Sequence, residues 1–284
     1  MTFSIVGRSA DGTSIGVAVA SKFLGVGAAV PAAAAGVGAV ASQAFANLAY
    51  HPQALTLLRT GASAAETVAG LTAADPGRPT RQLGIVGATG LGATYTGAEC
   101  GDWAGGRAGE GYAIQGNILT GPEVVEGIEL AWVGSDPAWP LGRRLLAALQ
   151  AGDEAGGDRR GRQSAALLVV SPGGGYGGGS DVAVDLRVDD HAAPVTELAR
   201  LLELHELYFT RPDPDTLLCL TGELATDVRT RLASLGHTGA DTAAGLDAAI
   251  MQWAGIENYE ERIVPGLIDP VVLDLLRKAT PAPR

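Results

Sequence analysis

The residues after Met1 alternate. Phe3, Ile5 and Gly7 fall on one face of an extended segment, and Thr2, Ser4, Val6 and Arg8 on the other. Asp11-Gly12 marks a tight turn, residues 14–20 predict a partner strand, and 26–30 and 36–42 predict two more. The period then lengthens. Leu48, Leu55 and Leu58 predict a helix over 47–60 closed by Gly61, and Ser63 with Glu66 spells a capping box for a second, ending near Asp75-Pro76-Gly77. Strands return at 82–88, 92–96 and 111–117. Pro122 suits the first turn of a third helix bearing Val124, Val125, Ile128 and Trp132, and Pro140 opens a fourth with Leu141, Leu145, Leu146 and Leu149. Residues 167–171 and 182–188 predict two strands around a glycine-rich loop. That loop leads from strand to strand, so it reads as a hairpin tip rather than a phosphate cradle. Asp189 or Asp190 then caps a helix over 194–209.

Helices segregated from hairpin-connected strands define an α+β class, with two antiparallel sheets between helical layers. The chain has 284 residues, 46% of them hydrophobic and 18% charged, which suits one large domain with its own core plus a small appendage. The formal net charge of −11, with no basic run, argues against nucleic acid. Cys100 and Cys219 are far apart and lack metal spacing, and Asp189-Asp190-His191 lacks a second histidine, so no metal is expected. The uncharged stretch 23–41 is mostly Ala, Gly and Val with Pro31 in its middle. It reads as buried strands joined at 31–35 rather than a membrane span. No secretory signal precedes it, which points to the cytoplasm.

The runs Thr2-Phe3-Ser4-Ile5-Val6, Gly16-Val17-Ala18-Val19-Ala20-Ser21, Gly36-Val37-Gly38-Ala39-Val40, Gln115-Gly116-Asn117, the 156–166 segment and Asp185-Leu186-Arg187-Val188-Asp189-Asp190-His191 together resemble the DUF1028 family. The resemblance spans residues 1 to about 213. It implies a four-layer αββα sandwich of the N-terminal-nucleophile (Ntn) hydrolase superfamily. Proteasome subunits and penicillin acylase of that superfamily attack amide bonds with an N-terminal Thr, Ser or Cys.

Candidate chemistry follows from that likeness and from the residues themselves. A small residue after Met1 permits initiator removal, leaving Thr2 with a hydroxyl and a free α-amine of pKa about 7.7–8.0 that can serve as its base. Lys22, one of two lysines, ends the second strand, where a cation would favour the neutral amine. Snorkelling at a strand end is the structural alternative. The proteasome's lysine has no counterpart around residues 31–37. Asn117 resembles penicillin acylase's oxyanion asparagine, with Gly116 allowing close approach. Its alternative is a turn asparagine satisfying a strand end. Ser42 and Gln43 end the fourth strand and could contribute similarly. Asp158, Arg159, Arg160, Arg162, Gln163 and Ser164 form the densest polar cluster before a buried strand; its arginines suit a substrate carboxylate, or ion pairs with Asp185 and Asp189.

Pro212-Asp213-Pro214-Asp215 marks a boundary, giving domains over 1–213 and 214–284. The second predicts three short helices: Leu224, Val228, Leu232 and Leu235; Leu246, Ile250 and Trp253; then one opened by Asp269-Pro270 with Val272, Leu273 and Leu276. It resembles the C-terminal module of many DUF1028 proteins, named after peptidoglycan-binding domains. The sequence-level reading is a cytoplasmic Ntn amidohydrolase that acts on a small-molecule substrate, needs no cofactor and forms a homodimer or higher homo-oligomer. A non-catalytic binder on the same scaffold, or a cyclohydrolase without a terminal nucleophile, stays open.

Overall fold

A computed structural model describes residues 2–280, so Met1 and its removal lie outside the described residues. The chain divides into two compact units, Met1–Leu202 and Glu203–Arg284. The first comprises β1 (Thr2–Arg8), β2 (Ile15–Ser21), β3 (Pro31–Ala34), β4 (Gly38–Ala44), α1 (Tyr50–Arg59), α2 (Ala64–Ala74), β5 (Arg81–Gly87), β6 (Ala93–Thr96) and β7 (Gly105–Gly109). After these come β8 (Tyr112–Asn117), α3 (Glu123–Gly134), α4 (Leu141–Glu154), β9 (Ser164–Val170), β10 (Val182–Val188) and the first part of α5 (Pro194–Phe209). Every strand pairs antiparallel, in sheets ordered β10-β9-β2-β1-β8-β7 and β3-β4-β5-β6.

The alternation at the start of the chain builds the layers. Phe3, Ile5, Ala18 and Ala20 turn to one face of the larger sheet and pack on Val124, Ile128, Leu145, Leu149 and Leu198 of α3, α4 and α5. Val6, Val17 and Val19 turn the other way and meet Ala39, Ala41 and Val86 of the smaller sheet. The opposite face of that sheet presents Val40, Leu83 and Ile85 to Tyr50, Ala54, Val68 and Leu71 of α1 and α2. The order is therefore helices, sheet, sheet, helices. Ser63 completes the capping box with Glu66, each backbone N–H bonded to the other's side chain.

Three departures have local causes. Residues 26–28 form a 3-10 turn instead of a strand: Gly25 is left-handed at φ 64°, and Val26 and Val30, joined by a backbone hydrogen bond, are both buried. β7, Gly-Gly-Arg-Ala-Gly, shows no apolar alternation in sequence. It forms as an edge strand whose backbone groups pair with those of β8. The expected aspartate cap of α5 is absent, since Asp190 accepts from Gln163 and the His191 imidazole accepts the Ala193 N–H.

The second unit has β11 (Leu218–Cys219), α6 (Gly222–Ser234), α7 (Ala243–Glu257), β12 (Leu267–Ile268) and α8 (Pro270–Ala279). Val228, Leu232, Leu246, Ile250, Trp253, Val272, Leu273 and Leu276 share its core. Asp269 caps α8 through the Val271 N–H, while its other oxygen accepts from Arg262 Nε at 2.6 Å. The pair is nearly closed to solvent, with side chains 12% and 3% exposed for Arg262 and Asp269. Removing one partner of a buried ion pair strands the other charge. Arg262→Ala is expected to destabilise this unit by about 3 kcal/mol, measured by urea unfolding.

Candidate functional site

The positions facing the gap between the sheets change character along their length. They run Val6, Ser4, Thr2 on β1; Val17, Val19, Ser21 on β2; Ala39, Ala41, Gln43 on β4; Val86, Gly84, Gln82 on β5; and Ala113, Gln115, Asn117 on β8. Antiparallel pairing brings every polar terminus to the same end of the sandwich. Thr2 lies opposite Asn117 and Ser4 opposite Gln115, while Gln43 lies opposite Gln82. Directly opposed residues share a face of their sheet, so these side chains meet across the gap.

They meet as one network. Gln115 Nε2 donates to Ser4 Oγ at 2.6 Å, and Ser4 Oγ donates to Gln43 Oε1 at 2.6 Å. Gln43 Nε2 donates to Gln82 Oε1 at 2.8 Å and to the Thr2 carbonyl at 3.2 Å. Asn117 Nδ2 donates to the same Gln82 oxygen at 2.8 Å, and Gln82 Nε2 donates to the Gly116 carbonyl at 2.6 Å. Buried amides require partners on both ends, and this arrangement supplies nearly all of them. The exception is Gln115 Oε1, which lies against Gly84 without a hydrogen bond.

Thr2 is buried at the open end of this network. Its Oγ1 is 3.1 Å from Ser21 Oγ, with either hydroxyl able to donate. Every hydrogen-bond partner of Thr2, Gln43, Gln82 and Asn117 among the described residues is neutral. The backbone leaving the network is strained. Among the described residues, three non-glycine positions have left-handed φ, and two of them, Ala44 at 62° and Ile118 at 51°, directly follow Gln43 and Asn117. A β-branched residue there is a genuine outlier, and such conformations collect at functional sites.

The other residues singled out in sequence occupy distinct places. Ser42 points to the helical face, exchanging hydrogen bonds with the backbone of Asn47. Gly116 turns its missing side chain toward Leu119, and a Cβ there would meet Leu119 at 2.4 Å. Lys22 is exposed and its Nζ donates to the Arg162 carbonyl, not to Thr2. The Asp158 carboxylate is buried, accepting from the Lys22 N–H at 2.8 Å and from Arg160. Arg162 pairs with Asp153 at 2.8 Å, so that arginine takes an acid on α4 rather than Asp185, which pairs with Arg187. Arg159 is exposed, Gln163 binds Asp190, and Ser164 stands opposite Ser21 with its hydroxyl on the Phe23 carbonyl. A pocket of about 50 Å³ lined by Phe3, Ser21, Asp153, Asp158 and Arg162 adjoins this end. No group of three or more metal-ligating side chains occurs among the described residues.

The family model for DUF1028, a family of unknown function, matches residues 2–198. The chain belongs to the DUF1028 family. A crystal structure of a DUF1028 protein from Silicibacter pomeroyi is 31% identical, with a TM-score of 0.65, covering 79% of this chain and 92% of that one. A second model, named for peptidoglycan binding, matches residues 208–276. No curated protein matches the chain.

In this DUF1028 protein, sequence reasoning passed over Ser4, Ser21, Gln82 and Gln115 as site residues. The available signal was a polar residue at one end of each inward-facing row of small apolar ones. Outside the network, Asp75 fastens the loop after β4 to the start of β5: Tyr50 Oη, Asn47 Nδ2 and Arg81 Nε all donate to its Oδ2, and Arg81 also donates to the Phe45 carbonyl. The Arg81 guanidinium, followed by the Tyr50 hydroxyl, holds the Asp75 carboxyl well below the usual carboxylate range.

A carboxyl lowered on folding adds stability above its unfolded pKa of about 3.9 and loses it as pH falls through the folded value. Asp75→Asn should therefore lower stability by about 2 kcal/mol at neutral pH, and its gap to wild type should close below about pH 4 in denaturant titrations. Gln82→Leu strands the Asn117 amide, removes one of the acceptors of Gln43 and takes a donor from the Gly116 carbonyl. It is expected to destabilise the first unit by at least about 3 kcal/mol in the same assay.

Proposed function

We propose that the protein is an Ntn-type amidohydrolase that cleaves the C–N bond of a small acylated substrate, with Thr2 as nucleophile. The observation behind this reading is the Thr2 hydroxyl, held at the polar end of the sandwich beside Ser21 and across the ladder from Asn117. With Met1 removed, the Thr2 α-amine is the nearest base the scheme has, because the network around it is neutral. It accepts the hydroxyl proton as Oγ1 attacks the substrate carbonyl carbon. The C–N bond then breaks, the amine departs with that proton, and the acyl group remains as an ester on Thr2. Water hydrolyses the ester, releasing the acid and restoring the hydroxyl.

Asn117 supports this scheme as an oxyanion donor. One Nδ2 hydrogen goes to Gln82, which fixes the amide plane and leaves the second for the oxygen that gains charge. Lys22, bonded to the Arg162 carbonyl, has no role in it. The chemistry calls for no cofactor. Under this reading the enzyme is cytoplasmic and homo-oligomeric, and residues 214–284 form a separately folded module. No helix among the described residues is long and apolar enough to cross a membrane.

Intact-mass measurement of the native protein should show a chain beginning at Thr2; retained Met1 would block the amine and overturn the mechanism. Thr2→Ala is expected to abolish hydrolysis of acylated amines without unfolding the protein, and Asn117→Ala to slow it about 10²–10³-fold. Because the base must be neutral, kcat/KM should fall as pH drops below about 7.7. A profile flat from pH 6 to 9 would exclude the α-amine.

A further inference from the structure

Four large apolar side chains stand in solvent on the loops leaving β2 and β4. Phe23 is 53% exposed, Leu24 64%, Phe45 74% and Leu48 54%. Chain position ties them to Thr2. Phe23 lies two residues past Ser21, whose hydroxyl meets that of Thr2, and Phe45 lies two residues past Gln43, whose amide holds the Thr2 carbonyl. Consecutive Cα atoms are about 3.8 Å apart, so each phenylalanine Cα is within about 8 Å of that partner's Cα.

Both loops are anchored. The Phe23 carbonyl accepts from Ser164, and Phe45 donates to the Thr80 carbonyl while its own carbonyl accepts from Arg81. The Val30 carbonyl ties the end of the first loop to β4 and α1, accepting the Ser42 N–H at 3.0 Å and lying 3.1 Å from His51 Nε2. Exposed apolar groups on anchored loops at the strand ends that carry the polar network suit a binding surface.

Arg159 stands by the third strand end. Its backbone N–H donates to the carbonyl of Ile118, the residue directly after Asn117. Arg160 and Arg162 are committed to Asp158 and Asp153, whereas the Arg159 side chain is exposed and has no hydrogen bond or ion pair among the described residues. A guanidinium in that state is suited to bidentate capture of a carboxylate.

We infer that the substrate is an N-acyl amino acid: the apolar acyl chain rests on Phe23, Leu24, Phe45 and Leu48, and the free carboxylate pairs with Arg159. The chemistry rests on the function proposed above, but recognition does not require turnover and can be tested apart from it.

The test is calorimetric titration of the full-chain Thr2→Ala variant with N-hexanoylglycine, N-acetylglycine and N-hexanoylglycinamide. N-hexanoylglycine should bind about tenfold tighter than N-acetylglycine, equivalent to burying roughly two methylenes. It should also bind about tenfold tighter than the glycinamide, which lacks the carboxylate. Adding Phe23→Ala with Phe45→Ala should erase the acyl preference alone, and adding Arg159→Ala the carboxylate preference alone. Equal affinity for all three ligands, no binding, or preferences untouched by these substitutions would overturn the inference. So would a Phe23→Ala, Phe45→Ala variant that turns a dimer into a monomer in light scattering with the acyl preference intact, because the rim would then belong to a second copy. Wild-type turnover separates the two claims. Binding as expected without hydrolysis removes the catalytic reading and keeps the recognition, and hydrolysis without either preference does the reverse.

Discussion

Three glutamines buried between two sheets constrain the rest of the first unit. Each carboxamide has two donors and an acceptor that water can no longer serve, so Gln43, Gln82 and Gln115 depend on strands that hold partners in register. Every carboxamide oxygen of the three but that of Gln115 finds one. Gln82 is the hub. Its oxygen takes amides from both sheets and its nitrogen returns to a main-chain carbonyl of β8. An apolar interlayer slides among many similar packings. A chain of directed amide bonds between β1, β4, β5 and β8 has one arrangement that satisfies it, and that arrangement sets where Thr2 sits.

Much of this was legible in the sequence, for reasons that particular residues make plain. Period-2 alternation in residues 3–8 and 182–188 and the capping box at Ser63 are local properties, and the structure keeps them. The opening of α8 at Asp269-Pro270 is another. Thr2 could be singled out because it follows the initiator methionine, and Asn117 because it resembles the oxyanion asparagine of penicillin acylase. Gln82 could not be recognised as a hub, because a glutamine at the start of a strand looks like any solvated terminus until the second sheet covers it. The partner of Arg162 was similarly hidden, since Asp153 becomes its neighbour only through the glycine-rich turn after α4. The glycine-rich β7 has no signal of its own and exists by virtue of the edge that β8 offers.

The strained positions fit the same picture. Ala44 and Ile118 adopt left-handed backbone where the chain must leave the network abruptly, and each is pinned from outside. Phe45, after Ala44, is bonded to Thr80 and Arg81, and Ile118 is held between Gly101 and Arg159. Strain of this kind persists only where the surroundings over-determine it. The rigid amides inside and the anchored loops outside supply that, so the rim of the site is preorganised rather than loosely draped.

Gly84 shows how far the site reaches into residues with no functional group. It lies inward on β5, and a Cβ placed there would come within 1.8 Å of Gln115 Oε1. A single methyl group would evict that amide, and with it the link through Ser4 and Gln43 to the carbonyl of Thr2. Empty volume at one backbone position thus acts as a component of the amide network beneath Thr2, and a mutational map of the protein would find a hotspot where no side chain exists.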